Sequence, residues 1–301
     1  MTGTPPVRRR LLGSALREYR EGLGYNLDEA ARILECDRSK VSRIETGQRG
    51  IRARELRELL TEYGVPPAEQ AALLAVAHRG RDSGWWLDYR DVLTADEQDF
   101  VIMEIAATEI LAYEATAVPG LFQTPDYIRA IAAADARYTS GEQRAHALEV
   151  LLNRQRVVIG GRAPTLDLIV GEGVLRQVVG PPRVMRGQLA RLADVAETGF
   201  ADGLPDADAP PGERCRVSLR VLPFAAGVHA AAGPGSMTLL RFAETPDIGV
   251  IHLPALSGGV SLEGRDVVTR YRRAFAQLRS AVLTPVQSAR LMRSVARGFD
   301  R

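Results

Sequence analysis

Asn26-Leu27-Asp28-Glu29-Ala30-Ala31-Arg32-Ile33-Leu34-Glu35-Cys36-Asp37-Arg38-Ser39-Lys40-Val41-Ser42-Arg43-Ile44-Glu45-Thr46-Gly47 reads as two short helices joined by a tight turn. Asn26 can cap the first helix, and Glu29 three residues on completes a capping box. Asp37 is placed to cap the second, and Gly47 supplies a left-handed residue to end it. Leu27, Ala30, Ala31 and Leu34 recur at helical spacing and predict a small core shared with Val41 and Ile44. The outer face of the second helix then carries Arg38, Ser39, Lys40, Ser42 and Arg43. Short hydrogen-bonding side chains set between cations suit a helix presented to a DNA major groove.

This stretch resembles the helix-turn-helix of the Xre/Cro repressor-like family of DNA-binding proteins. The run Ser42-Arg43-Ile44-Glu45 followed by Gly47 is its most specific part, and the resemblance extends over residues 8–79. It departs from the family pattern in two places. Leu27 stands where many relatives have a phosphate-contacting Gln. Glu35 stands where the turn usually has Gly, so the turn must form without the residue that reaches positive φ most easily. The resemblance implies an all-α, five-helix, lambda-repressor-like domain that binds double-stranded DNA. It also implies a homodimer on half-sites about one helical turn, roughly 34 Å, apart. Glu45 is expected to be structural, paired with an Arg near the helix end, rather than a reader of cytosine.

Working outward, Leu11, Leu12, Ala15, Leu16 and Tyr19 predict a helix over residues 8–22. The triplet Arg8-Arg9-Arg10 at its start has two readings, a reach to phosphate or minor groove, or a solvated helix start. After the motif, Gln48-Arg49-Gly50 makes a basic loop, and Leu56, Leu59 and Leu60 turn inward on a fourth helix. Arg49, Arg52 and Arg54 in or beside that loop are candidate phosphate contacts, because in this fold the segment runs along the backbone; the alternative is an ordinary solvated surface. Residues 67–79 complete a fifth, Ala-rich helix. The DNA-binding residues expected are therefore Arg38, Ser39, Lys40, Ser42, Arg43, Arg49 and Arg52.

A chain of 301 residues is too long for this unit alone. The sequence reads as a helix-turn-helix domain over residues 1–79, a linker over residues 80–84, and a second domain over residues 85–301. The formal charge of +2 does not by itself announce a nucleic-acid binder. Residues 1–79, however, hold 14 Lys+Arg against 11 Asp+Glu, an excess of +3, and the remainder sums to −1. Lys40 is the only lysine, and it lies on the candidate recognition helix.

The second domain begins with Trp85-Trp86-Leu87-Asp88-Tyr89, a cluster suited to packing the start of a domain or to stacking on a ligand. Residues 96–115 read as one apolar, buried helix interrupted by Glu104, Glu109 and Glu114, at least one of them paired with an Arg. Thr124 caps a further helix opened by Pro125, and residues 140–159 are amphipathic and Arg-rich. From Thr165 the period shortens to that of strands, with helices at 171–179, 183–198, 264–282 and 285–298. Strands are expected at 215–222, 236–242, 248–253 and 259–262, giving an α+β class with a small sheet. The segments Tyr113-Glu114, Val118-Pro119-Gly120-Leu121-Phe122-Gln123-Thr124-Pro125-Asp126-Tyr127, Val184-Met185-Arg186-Gly187-Gln188-Leu189 and Val221-Leu222-Pro223-Phe224 look like the uncharacterised domain that follows a helix-turn-helix in many actinobacterial regulators. That resemblance implies a regulator encoded beside a small partner protein, antitoxin-like in some members, and carries no ligand or catalytic residue.

No catalytic constellation appears. The histidines 78, 146, 229 and 252 lack ligand-like spacing to each other or to Cys36 and Cys215, and a P-loop cannot exist when the only lysine is Lys40. Gly171-Glu172-Gly173 is half of a nucleotide-binding turn at most and reads better as a strand-to-helix turn. The acidic loop over residues 202–213 reads as a solvated connector rather than a calcium site. The chain is expected not to be an enzyme and to need no cofactor. Cys36 reads as a small core residue, a reducing cytoplasm fits, and no membrane span is expected. The function this supports is a DNA-binding transcriptional regulator controlled through its second domain by a partner protein or ligand. The competing readings are an antitoxin-like module that sequesters a small neighbouring protein, and a small-molecule receptor lined by Trp85-Trp86 and the buried glutamates.

Overall fold

A computed structural model describes residues 7–78, 85–160, 164–201, 215–233, 235–242, 249–255 and 258–299. The expected linker 80–84 and acidic loop 202–213 lie outside the described residues. The helices are α1 Val7–Gly22, α2 Leu27–Ile33, α3 Arg38–Glu45, α4 Ala53–Glu62, α5 Pro67–His78, α6 Ala95–Ala106, α7 Pro125–Ala134, α8 Gly141–Ile159, α9 Glu172–Arg176, α10 Pro182–Thr198, α11 Arg265–Ala281 and α12 Pro285–Arg297. The strands are β1 Glu109–Glu114, β2 Thr165–Gly171, β3 Val217–Leu222, β4 Met237–Arg241, β5 Gly249–Leu253 and β6 Val260–Glu263. The class is the expected one, an N-terminal helical domain followed by an α+β region.

By its contacts the chain forms two compact units. The first comprises Met1–Leu87, Thr94–Ala107 and Leu239–Tyr271, and the second Asp88–Leu93, Thr108–Thr238 and Arg272–Arg301. The first unit thus takes in α6 and the antiparallel pair β5–β6 together with the five N-terminal helices.

Its helical core is built from Leu11, Leu12, Leu16, Ala30, Val41, Ile44, Leu56, Leu59, Leu60 and Leu73, all buried. Asn26 caps α2 as its sequence predicts: its side chain accepts from the amides of Asp28 and Glu29 at 2.9 and 3.0 Å, and Glu29 accepts from the Asn26 amide at 2.6 Å. Asp37 sits at the corresponding position of α3 but its side chain accepts no capping hydrogen bond. Cys36, expected in the core, is only half-buried in the turn.

The turn between α2 and α3 forms without glycine at a definite cost. Glu35 is the one non-glycine with positive φ among the described residues, at 47°. The Cys36 amide donates to Ala31 at 2.9 Å and the Glu35 amide to Arg32 at 3.2 Å, the paired bonds of a Schellman ending. A side chain in the left-handed region costs roughly 1–2 kcal/mol, part of which glycine returns through its freer unfolded chain. Glu35→Gly is therefore expected to stabilise the first unit by about 1 kcal/mol, read as a higher thermal midpoint; a fall would show that the Glu35 side chain holds the turn.

The second unit is organised on three parallel strands in the order β3-β2-β1, joined by helical crossovers. Ile110↔Leu166 and Leu168↔Leu219 are typical partners, and the middle residues of β1 and β2 are buried, as parallel strands covered on both faces require. Helices α10 and α12 pack on each other and on β3. Three buried glutamines fix the connection after β1. Gln123 donates to the Val118 carbonyl, Gln155 to those of Gly120 and Gln123, and Gln188 to that of Phe122 while accepting from the Thr124 amide, all within 2.7–2.9 Å. Backbone groups that cannot reach water thus find side-chain partners.

Residues 96–115, expected as a single helix, form a helix and a strand. Helix α6 ends at Ala106 and the chain continues as β1. An apolar run long enough for a helix is also long enough for half a helix and one buried strand, and periodicity does not separate the two. Of its three glutamates, Glu104 is buried, and Glu114 ends β1. Burial pushes the Glu114 carboxyl up to about 7, against the favourable influence of the Ser236 hydroxyl and the Arg154 guanidinium. In the unfolded chain the group titrates near its ordinary value of 4.5. Between those two values the folded state holds the proton more tightly, so stability falls as pH rises through this window. Glu114→Gln is expected to remove that fall and leave the protein more stable than wild type at pH 8, by at most about 3 kcal/mol. Equal urea midpoints for the two proteins at pH 8 would refute it.

Candidate nucleic-acid interface

Helix α3 is held from behind so that its other side faces solvent. Val41 and Ile44 are buried, whereas Arg38, Ser39 and Arg43 are exposed and Ser42 is half-buried. The end of α3 is fixed to α1 by a two-pronged ion pair. Arg20 Nε donates to Glu45 Oε1 at 2.7 Å and Nη2 to Oε2 at 2.9 Å, with both side chains less than a tenth exposed. Arg20 Nη1 also donates to the Tyr25 carbonyl at 2.6 Å. The hydrogen bonds that Arg20 donates to Glu45 raise its already high pKa, so the guanidinium stays charged. This gives Glu45 the structural role expected from sequence, with the partner coming from α1.

Two glycines permit the close approach of α1 and α3. A Cβ on Gly13 would lie 2.4 Å from the Glu45 carbonyl oxygen and 2.5 Å from that of Ile44. Gly47, at φ +73°, ends α3 and has the backbone of Arg10 3.0 Å from where its Cβ would be. Arg10 itself is turned away from any groove. Its Nε donates to Glu263 at 2.6 Å and its Nη2 to the Ser261 carbonyl at 3.0 Å, both in β6. The Arg8-Arg9-Arg10 triplet thus divides: Arg10 is structural, Arg9 is exposed and its Nε lies 3.9 Å from the Cβ position of Gly50 in the basic loop.

The seven sequence-selected residues do not present themselves equally. Arg38, Ser39, Arg43, Arg49 and Arg52 are exposed on α3 and the loop that follows it. Arg38 lies 4.0 Å from Asp28, with both side chains more than half exposed. Such a pair is worth little against water and yields readily to a phosphate. Lys40 is turned back onto α4, its ammonium 2.7 Å from Glu55, each side chain about one-fifth exposed. Glu55 also accepts from the Arg52 amide at the start of α4. Periodicity places Lys40 on the helix surface but says nothing about a carboxylate 15 residues on, so this contact was not visible in the sequence.

A short helix crossed by a second, buried on one side and offering cations and hydroxyls on the other, is the arrangement by which helix-turn-helix proteins enter a major groove. Residues 11–73 match the helix-turn-helix domain family, so the geometry and the comparison agree on a DNA-binding regulator. Residues 97–201 and 211–294 match the domain of unknown function DUF5753, and the chain belongs to that family. No curated protein and no solved structure matches the chain.

Elsewhere, Trp85 and Trp86 stack edge to face at 5.9 Å and are half-buried. Cys215 is buried, donates to the Pro164 carbonyl, and burial pushes its thiol up to about 12. Among the described residues no group of three or more His, Cys, Asp or Glu could hold a metal ion, and no helix is long and apolar enough to cross a membrane.

Proposed function

We propose that the chain is a sequence-specific transcriptional regulator of the Xre type, working in the cytoplasm as a homodimer without catalytic activity or cofactor. Arg38, Ser39, Ser42 and Arg43 face the groove, and Arg49 and Arg52 grip phosphate. The region after residue 85 sets when it binds, in response to a partner protein or ligand. The observation that carries this is the exposed cationic face of α3, held rigidly against α1 through Arg20 and Glu45. Lys40 enters the reading differently from its neighbours, since it must exchange Glu55 for DNA; Lys40→Ala would alter both α4 and the groove.

The cleaner variant is Arg43→Ala with Arg49→Ala, because both side chains are exposed. Full-length protein incubated with a pool of random duplexes is expected to enrich paired half-sites about 34 Å apart, and the double variant to lose that enrichment while keeping its thermal midpoint. Retention of DNA by wild type with no enriched sequence would overturn sequence specificity, and an enriched single half-site would overturn the dimer.

A further inference from the structure

The near-zero charge of the region after residue 79 conceals a separation. Residues 80–264 hold 16 Arg against 24 Asp+Glu, a net of −8, whereas residues 265–301 hold nine Arg against two Asp, a net of +7. A second basic segment of this chain therefore lies in α11 and α12, apart from the helix-turn-helix.

On α12 that charge is ordered. Ser288, Ala289 and Met292 are buried and define the inner face. Arg290, Arg293 and Arg297 follow at i, i+3 and i+7, so they share one outer face and span roughly 10 Å along the axis. Arg293 is committed to α10, with Asp194 at 2.9 Å and Glu197 at 2.7 Å. Arg290 and Arg297 are exposed, and among the described residues no ion pair holds either of them. The rest of that face holds exposed Val286, Gln287 and Ser294, beside the exposed carboxylates of Asp194 and Glu197. A docking surface for a folded protein is built around an apolar or aromatic centre, which this face lacks. Arg290 and Arg297 flank the ion-paired Arg293 as two exposed guanidiniums, and Arg forks engage phosphate oxygens well.

We infer that the outer face of α12, through Arg290 and Arg297, is a second, sequence-independent phosphate-binding surface for duplex DNA. The inference rests on the reading of the chain as a DNA-binding regulator.

The test is fluorescence anisotropy of full-length protein with a 30-base-pair duplex of the enriched sequence and a scrambled one, from 50 to 300 mM NaCl. Arg290→Ala with Arg297→Ala is expected to weaken both duplexes alike, on the order of 30-fold at 150 mM, and to reduce the salt slope by up to about 1.8. Sequence preference should be unchanged, in contrast to the Arg43→Ala, Arg49→Ala variant. An unchanged slope in a variant of unchanged thermal midpoint, with wild type binding normally, overturns the inference alone. Wild type that binds neither duplex overturns the regulator reading and this inference with it. Loss of poly-glutamate binding with the DNA slope intact overturns it in favour of an acidic polypeptide.

Discussion

Arg20→Ala or Glu45→Ala alone is expected to lower the stability of the first unit by about 3–5 kcal/mol and to abolish DNA binding at 37 °C. Each substitution strands the other charge in a site less than a tenth exposed, and an uncompensated buried charge is what makes breaking such pairs costly. The loss is a large share of the roughly 5–15 kcal/mol that holds a typical domain together. Replacing both, as Arg20→Met with Glu45→Leu, is expected to recover most of it, because the desolvation cost of both ions disappears with their attraction. Recovery will be incomplete by about 1 kcal/mol, the value of the Arg20 hydrogen bond to the Tyr25 carbonyl that Met cannot make. Urea denaturation of the two singles and the double measures all three terms. Single variants as stable as wild type would show the pair to be solvated, contrary to its burial.

Gly13→Ala is the second large effect, and its sign is the informative part. In a helix interior the exchange normally stabilises by about 1 kcal/mol, because alanine has less backbone entropy to lose. At Gly13 the new methyl would sit 2.4–2.8 Å from carbonyl oxygen and carbon atoms of Ile44 and Glu45. Those are backbone atoms at the end of α3 and cannot rotate aside, so α1 and α3 must separate and the Arg20–Glu45 pair with them. A cost of about 3 kcal/mol is expected, at the upper end for overpacking. Gly187, exposed in the middle of α10 with nothing within 4 Å of its Cβ position, is the matched control. Gly187→Ala should raise the thermal midpoint while Gly13→Ala lowers it. A rise in both would mean that α1 and α3 stand further apart than described.

The parts of this molecule that local chemistry dictates were readable without coordinates. The Asn26–Glu29 capping box, the left-handed Gly47, the inward Val41 and Ile44, and the Thr124–Pro125 helix start each depend on residues within four positions of one another. The strained Glu35 could be foreseen for the same reason. What escaped the reading depends on distant partners. Lys40 finds Glu55, Arg10 finds Glu263, and the connection after β1 is fixed by Gln155 and Gln188, 32 and 66 residues from the carbonyls of Gln123 and Phe122. The β1 error has a different origin. Ile110, Leu111, Ala112 and Tyr113 are all buried, so the alternation that marks a half-exposed strand is absent. Of the candidate site, the exposure of Arg38, Ser39 and Arg43 on α3 was legible; the pairing of Lys40 with Glu55 was not.

The tie between Arg10 and Glu263 joins residues 253 positions apart. A ribosome adding roughly 5–20 residues per second makes α1 to α5 many seconds before β6 emerges, and domains ordinarily fold as soon as they are complete. The unit that carries α3 therefore reaches its finished form only once residue 263 has been made. A nascent chain that has not yet reached β6 would display α3 without the hairpin that grips the base of α1.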